Sequence, residues 1–410
     1  MRVLIVSQYF WPEEFRINDC ARELQQRGHT VDVLTGIPNY PTGRVFDGYR
    51  WWQCRRETYG GVRVIRVPLL PRGRRQPWRL VVNYCSFVLA GSIGGPFHCR
   101  GNYDAILVYE PSPITVCIPA IAMRRMSRAP IFLWVQDLWP ESLAATGAVR
   151  SKHLLAFVER LTRWIYRRCD VILIQSNGFR SHTHRMGKGD DAIVYLPNWA
   201  EDCYRPIVVP DDAPERLLVP RDAFVVLFAG NIGTAQGFDM IVHAATLLCD
   251  VADVHFVILG DGRDRARIEA DVVQRGLSDR FHFLGRHPME AMPRFFALAD
   301  ALLVTLRRDP IFASTIPGKV QSYLACGRPI IAAIDGEGSR IVTEAGAGIV
   351  CPAEDAPALA NAIRQLRALP PAARAAMGAC GRAYAEREFA RPVLIDRLEQ
   401  VLGQQRHPAA

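Results

Sequence analysis

At 410 residues the chain is long enough for two domains that each bury their own core, which excludes a peptide hormone or a stapled mini-domain. Hydrophobic residues make up 49% and charged residues 22%, which excludes global disorder; the 11 cysteines are odd in number and hold no C-x-x-C pair, which excludes a zinc ribbon and a complete disulfide framework and points to reduced thiols in the cytoplasm. The net charge of +9 is one-sided: residues 1–200 carry 27 basic against 15 acidic side chains, a net of +12, and residues 201–410 carry 23 against 26, a net of −3.

Val3–Val6 is a fully apolar stretch that reads as a strand rather than as part of a leader. Ile17, Cys20, Ala21 and Leu24 follow at helical spacing, Gly28 ends that helix, and Val31–Thr35 predicts a second strand. This is a βαβ unit, and its continuously apolar strands fit a parallel sheet covered on both faces. Further strands are predicted at Val62–Val67, Ala105–Val108, Ile131–Val135 and Val171–Ile174.

Arg72, Arg74, Arg75 and Arg79 run directly into the uncharged stretch Leu80–Phe97. A basic face leading into an apolar run favours an anionic lipid surface over nucleic acid, which would call for aromatics on a strand platform. The run touches the length of a spanning helix, but Asn83, Ser86, Ser92, three glycines and Pro96 shorten its apolar core. It reads as a buried helix of an α/β domain, with an interfacial helix as the alternative. Arg160, Arg163, Arg167 and Arg168 add a second basic segment.

After Leu196-Pro197-Asn198 the pattern is lost through Pro206, Pro210, Pro214 and Pro220, as expected of a linker. Strands are predicted again at Val225–Ala229, Val254–Leu259, Phe281–Leu284, Ala301–Leu306 and Pro329–Ile334. The expected division is a basic α/β domain over 1–198, a second α/β domain over 199–385 and a C-terminal helix over 386–410 that can cross back to the first domain.

Ligands of open α/β sheets bind beyond the carboxyl ends of the strands. One such loop is Gly230-Asn231-Ile232-Gly233-Thr234-Ala235-Gln236-Gly237, whose glycines let backbone N–H groups approach an oxyanion. A second runs from Asp309 to Lys319, with Pro317 at a helix start, so that Gly318 and Lys319 can seat a diphosphate. The third is Gly260-Asp261-Gly262, where Asp261 can bind a hydroxyl or cap a helix. Neither G-x-G-x-x-G nor a P-loop occurs, which excludes those two nucleotide modes.

Together these residues resemble a family 4 glycosyltransferase: retaining, nucleotide-sugar dependent and of the GT-B fold, an α/β architecture of two facing Rossmann-like domains with parallel sheets. The resemblance spans the chain, through Arg-Glu-Leu-x-x-Arg-Gly-His at 22–29, Pro197-Asn198, the Gly230 loop, Gly260-Asp261-Gly262 and Ala325-Cys326-Gly327-Arg328-Pro329. It is nearest to bacterial enzymes of O-antigen, capsule and colanic acid assembly, in the branch of L-fucosamine (N-acetylfucosaminyl) transferases. The marks of that branch are Ser7–Glu13, Pro38-Asn39-Tyr40-Pro41, Gln136-Asp137-Leu138-Trp139-Pro140 and Gly230-Asn231-Ile232-Gly233.

The resemblance implies transfer of an N-acetylated amino or deoxyamino sugar from a UDP-sugar to a polyprenyl-diphosphate-linked acceptor at the inner face of the cytoplasmic membrane. No metal or other cofactor is implied. Asp137 and Glu13 would orient the acceptor hydroxyl; Lys319, Gly233, Gly318, Asn231, Gln236 and Arg16, with Ser314 and Ser322, would hold the donor phosphates and sugar; Gly260, Asp261 and Arg286 would hold the nucleoside. The sequence departs from the family at several of these places. Asn231 and Gln236 stand where many members carry Arg and Lys, Ser314 and Ser322 where an E-x7-E pair is usual, and Gln136 where a histidine often precedes the acid. A UDP-GlcNAc 2-epimerase-like enzyme of the same fold and an inactive nucleotide-sugar-binding chain are the alternatives.

Overall fold

The computed structural model describes residues 1–73, 76–145, 149 and 151–404 and divides the chain into two units. The first comprises Met1–Pro197 together with the chain from Ile395 onward, and the second comprises Asn198–Leu394.

The first unit is built on β1 (Arg2–Val6), β2 (Thr30–Gly36), β3 (Arg55–Tyr59), β4 (Val62–Val67), β5 (Ala105–Glu110), β6 (Ile131–Val135), β7 (Val171–Ile174) and β8 (Ile193–Tyr195). Their spatial order is β3-β4-β2-β1-β5-β6-β7-β8, parallel throughout except for the antiparallel edge strand β3. The succession reverses direction between β1 and β5, the topological switch point at which such sheets open a ligand crevice. Helix α1 (Arg16–Gln26) buries Ile17, Cys20, Ala21 and Leu24 against this sheet, the stripe its spacing predicts. The last helix of the chain, Arg391–Gln404, sends Glu399 to Arg27 at 2.6 Å, and its Asp396 also pairs with Arg27. The segment from Ile395 therefore closes onto the end of α1.

The uncharged stretch forms α2 (Pro77–His98), and here the buried-helix expectation is corrected. One face does pack: Phe87 is fully buried, and the bare Cα atoms of Gly91 and Gly95 let α2 approach Pro119 and Met123 of α3 (Cys117–Ser127) closely. The opposite face keeps Trp78, Val81, Leu89, Ile93 and Phe97 at 58% to 63% exposed. Among the described residues α2 is the one helix long and apolar enough, by length and composition, to cross a membrane. Of the basic cluster, Arg79 is exposed beside Trp78 and Arg72 stacks over the Tyr40 ring, while Arg74 and Arg75 lie outside the described residues.

The second unit carries β9 (Phe224–Ala229), β10 (Val254–Leu259), β11 (Phe281–Gly285), β12 (Ala301–Thr305), β13 (Ile330–Ala333) and β14 (Gly348–Cys351), all parallel in the order β11-β10-β9-β12-β13-β14. Its switch point falls between β9 and β12. Phe224, Val226 and Phe228 of β9 bury their rings and branches with Phe238 and Ile241 of the following helix in one apolar core. That core leaves the loops after β9 and β12 side by side on a rigid edge.

Candidate functional site

In the second unit the loops after β9 and β10 are laced together by their backbones. Gly230 donates to the Leu259 carbonyl at 2.8 Å, Ile232 to that of Asp261 at 2.9 Å, and Gly260 to that of Gly285 at 2.7 Å. The approach is so close that a Cβ on Gly260 would lie 1.9 Å from the Gly230 oxygen and one on Gly262 2.2 Å from the Ile232 oxygen. Gly260 also has φ +130°, open only to glycine. Asp261 accepts from the Gly262 amide at 2.8 Å and stands 3.8 Å from Arg286, so these two predicted residues meet at an exposed rim.

Lys319 reaches the same place from another element. Pro317 precedes the helix Gly318–Cys326 as predicted, and that helix carries the lysine to the end of β9. Its Nζ donates to Oε1 of Gln236 at 2.5 Å and lies 3.6 Å from the centre of the Phe228 ring. A Cβ on Gly230 would fall 2.7 Å from Lys319 Cε, so the glycine is what makes room for the lysine. Burial holds Lys319 well below the usual lysine range. Lys319, Gln236 and the Gly230 loop are thus brought together across 83 residues of sequence.

The remaining donor candidates are placed differently. Asn231 is exposed at the tip of the Gly230 loop, with its side-chain nitrogen beside Gly233. Ser314 donates to the Pro310 carbonyl at 2.9 Å and Ser322 to that of Gly318 at 3.2 Å, each hydroxyl engaged within its own helix. Arg16 is the first residue of α1 in the first unit. Sequence reasoning missed Tyr323, which is buried and receives a hydrogen bond from the Ala229 amide at 3.0 Å, tying the helix of Lys319 to the last residue of β9.

In the first unit three carboxyl groups lie at or beyond the carboxyl ends of strands, and their surroundings separate them. Glu13 is buried, with Oε1 accepting from the amides of Asn39 and Tyr40, each at 2.7 Å, and Oε2 from that of Phe10 at 3.2 Å. Burial outweighs these bonds and pushes its pKa up to about 7. This corrects the expectation for Glu13: its oxygens pin two loops together instead of facing an acceptor. Asp137 follows β6, partly accessible, and its Oδ1 accepts from the Leu138 amide at 3.1 Å and from the Ser142 hydroxyl. Burial raises its pKa above the ordinary aspartate value despite both bonds. Glu110, the last residue of β5, is fully buried, and burial first, then the Asp137 charge, hold it well above the usual range although the backbone amides of Asp137 and Gln136 pull the other way. Nothing in the apolar run of β5 singled it out. Among the described residues no three His, Cys, Asp or Glu side chains gather as a metal site.

Residues 14–199 match the domain family "Glycosyl transferase 4-like domain", and residues 223–368 match "Glycosyl transferases group 1". WcaI of Escherichia coli K12, whose name assigns it to colanic acid biosynthesis as a glycosyl transferase, is 25% identical over 384 residues, covering 90% of this chain and 93% of its own. The chain is a glycosyltransferase. Its fold is GT-B, shared at a TM-score of 0.74 and 19% identity with sucrose-phosphate synthase from Thermosynechococcus elongatus, over 98% of both chains. It is shared also at a TM-score of 0.70 and 14% identity with HepE of Anabaena, solved in complex with UDP, over 98% of this chain and 100% of that one.

Two outcomes follow for the glycosyltransferase. Gly260→Ala should destabilise the protein by about 3 kcal/mol through strain and overlap with the Gly230 carbonyl, read as a lowered unfolding temperature; wild-type stability would mean the two loops are not in contact. Lys319→Ala should lower kcat/KM by at least about tenfold, the worth of one charge-assisted contact, with helix content unchanged by circular dichroism; wild-type activity would remove Lys319 from the site.

Proposed function

We propose that this glycosyltransferase retains anomeric configuration, moving an N-acetylated amino or deoxyamino sugar from UDP to a polyprenyl-diphosphate-linked acceptor in surface polysaccharide assembly. The observation that carries the donor half is the convergence of Lys319, Gln236 and the glycine loops at the switch point of the second sheet. Breaking a sugar–phosphate bond requires stabilisation of the charge that develops on the departing diphosphate. Lys319 and the amides at the start of its helix supply it without a metal. The likeness to WcaI and the family 4 motifs support retention and the polysaccharide setting, and the UDP held by HepE supports the nucleotide.

Asp137 is the acceptor-side group, since among the three carboxyl groups it alone is both hydrogen-bonded in place and partly accessible. In this reaction the leaving phosphate takes the acceptor proton and Asp137 orients the hydroxyl. Asp137→Asn should slow transfer by about 10²-fold and leave UDP affinity within about twofold, because the nucleotide belongs to the other unit. Equal loss of UDP binding would contradict that placement. Release of UDP from a panel of UDP-sugars only when lipid-linked acceptor is added, with the product identified by mass spectrometry, tests the reaction as a whole. A free 2-epimerised sugar nucleotide, or binding without turnover, would favour the rival readings.

The acceptor is a lipid, and the first unit is proposed to meet it peripherally at the inner leaflet. The outward face of α2 supplies shallow insertion and the net charge of +12 supplies attraction, each basic residue near an anionic leaflet contributing about 1 kcal/mol. Co-sedimentation should require anionic vesicles, weaken at about 0.5 M salt, and fall both for Arg72, Arg74 and Arg75 changed together to Ser and for Leu89→Ser with Ile93→Ser. Absence of binding to any vesicle would leave the charge as surface solvation.

A further inference from the structure

The donor seat holds one of very few lysines. Of the 50 lysine and arginine side chains, only Lys152, Lys188 and Lys319 are lysines. Arginine binds phosphate in two-pronged fashion and stays charged throughout, whereas a desolvated lysine can give up its proton. We propose that the donor diphosphate enters this seat together with one proton, taken from solvent by the Nζ of Lys319, so that the ammonium facing the leaving group is made by donor binding. The proposal rests on the donor reading above, since it needs a nucleotide diphosphate at Lys319.

The contacts of the amine are neutral. Part of the Lys319 side chain is accessible, and its Nζ rests against protein, with Oε1 of Gln236 at 2.5 Å and the Phe228 ring at 3.6 Å. Gly230 closes another side with its bare backbone. On the lysine's own helix Ser322 bonds to the Gly318 carbonyl and the Tyr323 hydroxyl to the Ala229 amide. The charged groups of the neighbouring loops are engaged elsewhere: Arg307 with Glu354 at 3.1 Å, Arg286 with Asp261 at 3.8 Å, and Asp309 with the Ile311 amide at 2.8 Å. Among the described residues no carboxylate touches Lys319.

A cation held in this way loses its proton more readily than one in water, and burial does shift Lys319 in that direction. A diphosphate supplies the missing counter-charge, and the amine then gains a proton to become the ammonium. The sign of the pH dependence follows. The free protein has the lower lysine pKa and the complex the higher one, so donor affinity falls as pH rises between the two, by up to about tenfold per pH unit. Below both values the affinity is flat.

With three lysines in the chain the charge state can be read directly. Protein carrying 13C at lysine Cε should give three resonances, the one belonging to Lys319 being identified by its loss in Lys319→Arg. In the free protein it should titrate at lower pH than those of Lys152 and Lys188, and saturation with UDP-N-acetylglucosamine, whose phosphodiesters do not titrate near neutrality, should move its transition upward. Calorimetry with the same ligand in two buffers of different ionisation enthalpy should report proton uptake approaching one between the two transitions. Lys319→Arg should show none and bind with pH-independent affinity. A Lys319 resonance that titrates with the other two in the free protein, or wild-type binding with no buffer-dependent heat, overturns the proposal. Failure of both UDP-N-acetylglucosamine and UDP to bind would instead overturn the donor reading, and the free-protein titration separates the two cases.

Discussion

A lysine amine set in protein without a counter-charge carries its proton only at a cost, and the second unit is arranged around one. Lys319 is held by an amide oxygen, an aromatic ring and a glycine that leaves space for it, none of which neutralises it. Had a carboxylate occupied the position of Gln236, the resulting ion pair would have to be broken, at a cost of several kcal/mol, before any phosphate could use the charge. Neutral partners leave the electrostatic demand open for an incoming anion. The glycines serve the same end: Gly230, Gly260 and Gly262 bring backbone from two loops within a distance no side chain permits, so the amine and the loops share one small region.

The first unit handles negative charge by the opposite means. Glu13 spends its oxygens on three backbone amides and fastens the loop after β1 to the one after β2. Glu110 is enclosed, and its burial outweighs the nearby backbone amides of Asp137 and Gln136, which favours its neutral form. Asp137 combines an oriented carboxylate with access to solvent, and Glu110, whose charged form Asp137 disfavours, adds no second full charge nearby as long as it is protonated. The three groups share a sheet edge and differ only in what their oxygens meet. That difference separates a loop fastener, a buried acid and a group available to substrate.

How much of this was legible in the sequence depends on whether the signal was local. Central strands such as β6, β9 and the Val3–Val6 part of β1 announce themselves because both faces are covered and their residues are all apolar. The edge strand β3, Arg-Arg-Glu-Thr-Tyr, carries no apolar alternation and was not predicted; it pairs only with β4, antiparallel, and needs little burial. The half-exposure of α2 was hidden because its residues are apolar on both faces, leaving no periodicity to tell the glycine face from the face of Leu89 and Ile93. The helix start at Pro317-Gly318-Lys319 was readable from proline placement, but the contact between Lys319 and Gln236 is a product of the β9/β12 switch and has no local trace. Glu13 looked like a loop carboxylate of the kind that meets substrate, and only the folded course of residues 37–40 shows what occupies it.

The central claim is that the second unit binds the nucleotide diphosphate at the end of β9. Amide hydrogen exchange measured with and without saturating UDP would test it most directly. The account predicts that slowed exchange concentrates in peptides covering Gly230–Gly237, Gly260–Gly262 and Gly318–Val320. Unchanged exchange in those three segments, with UDP shown to be bound, would contradict it.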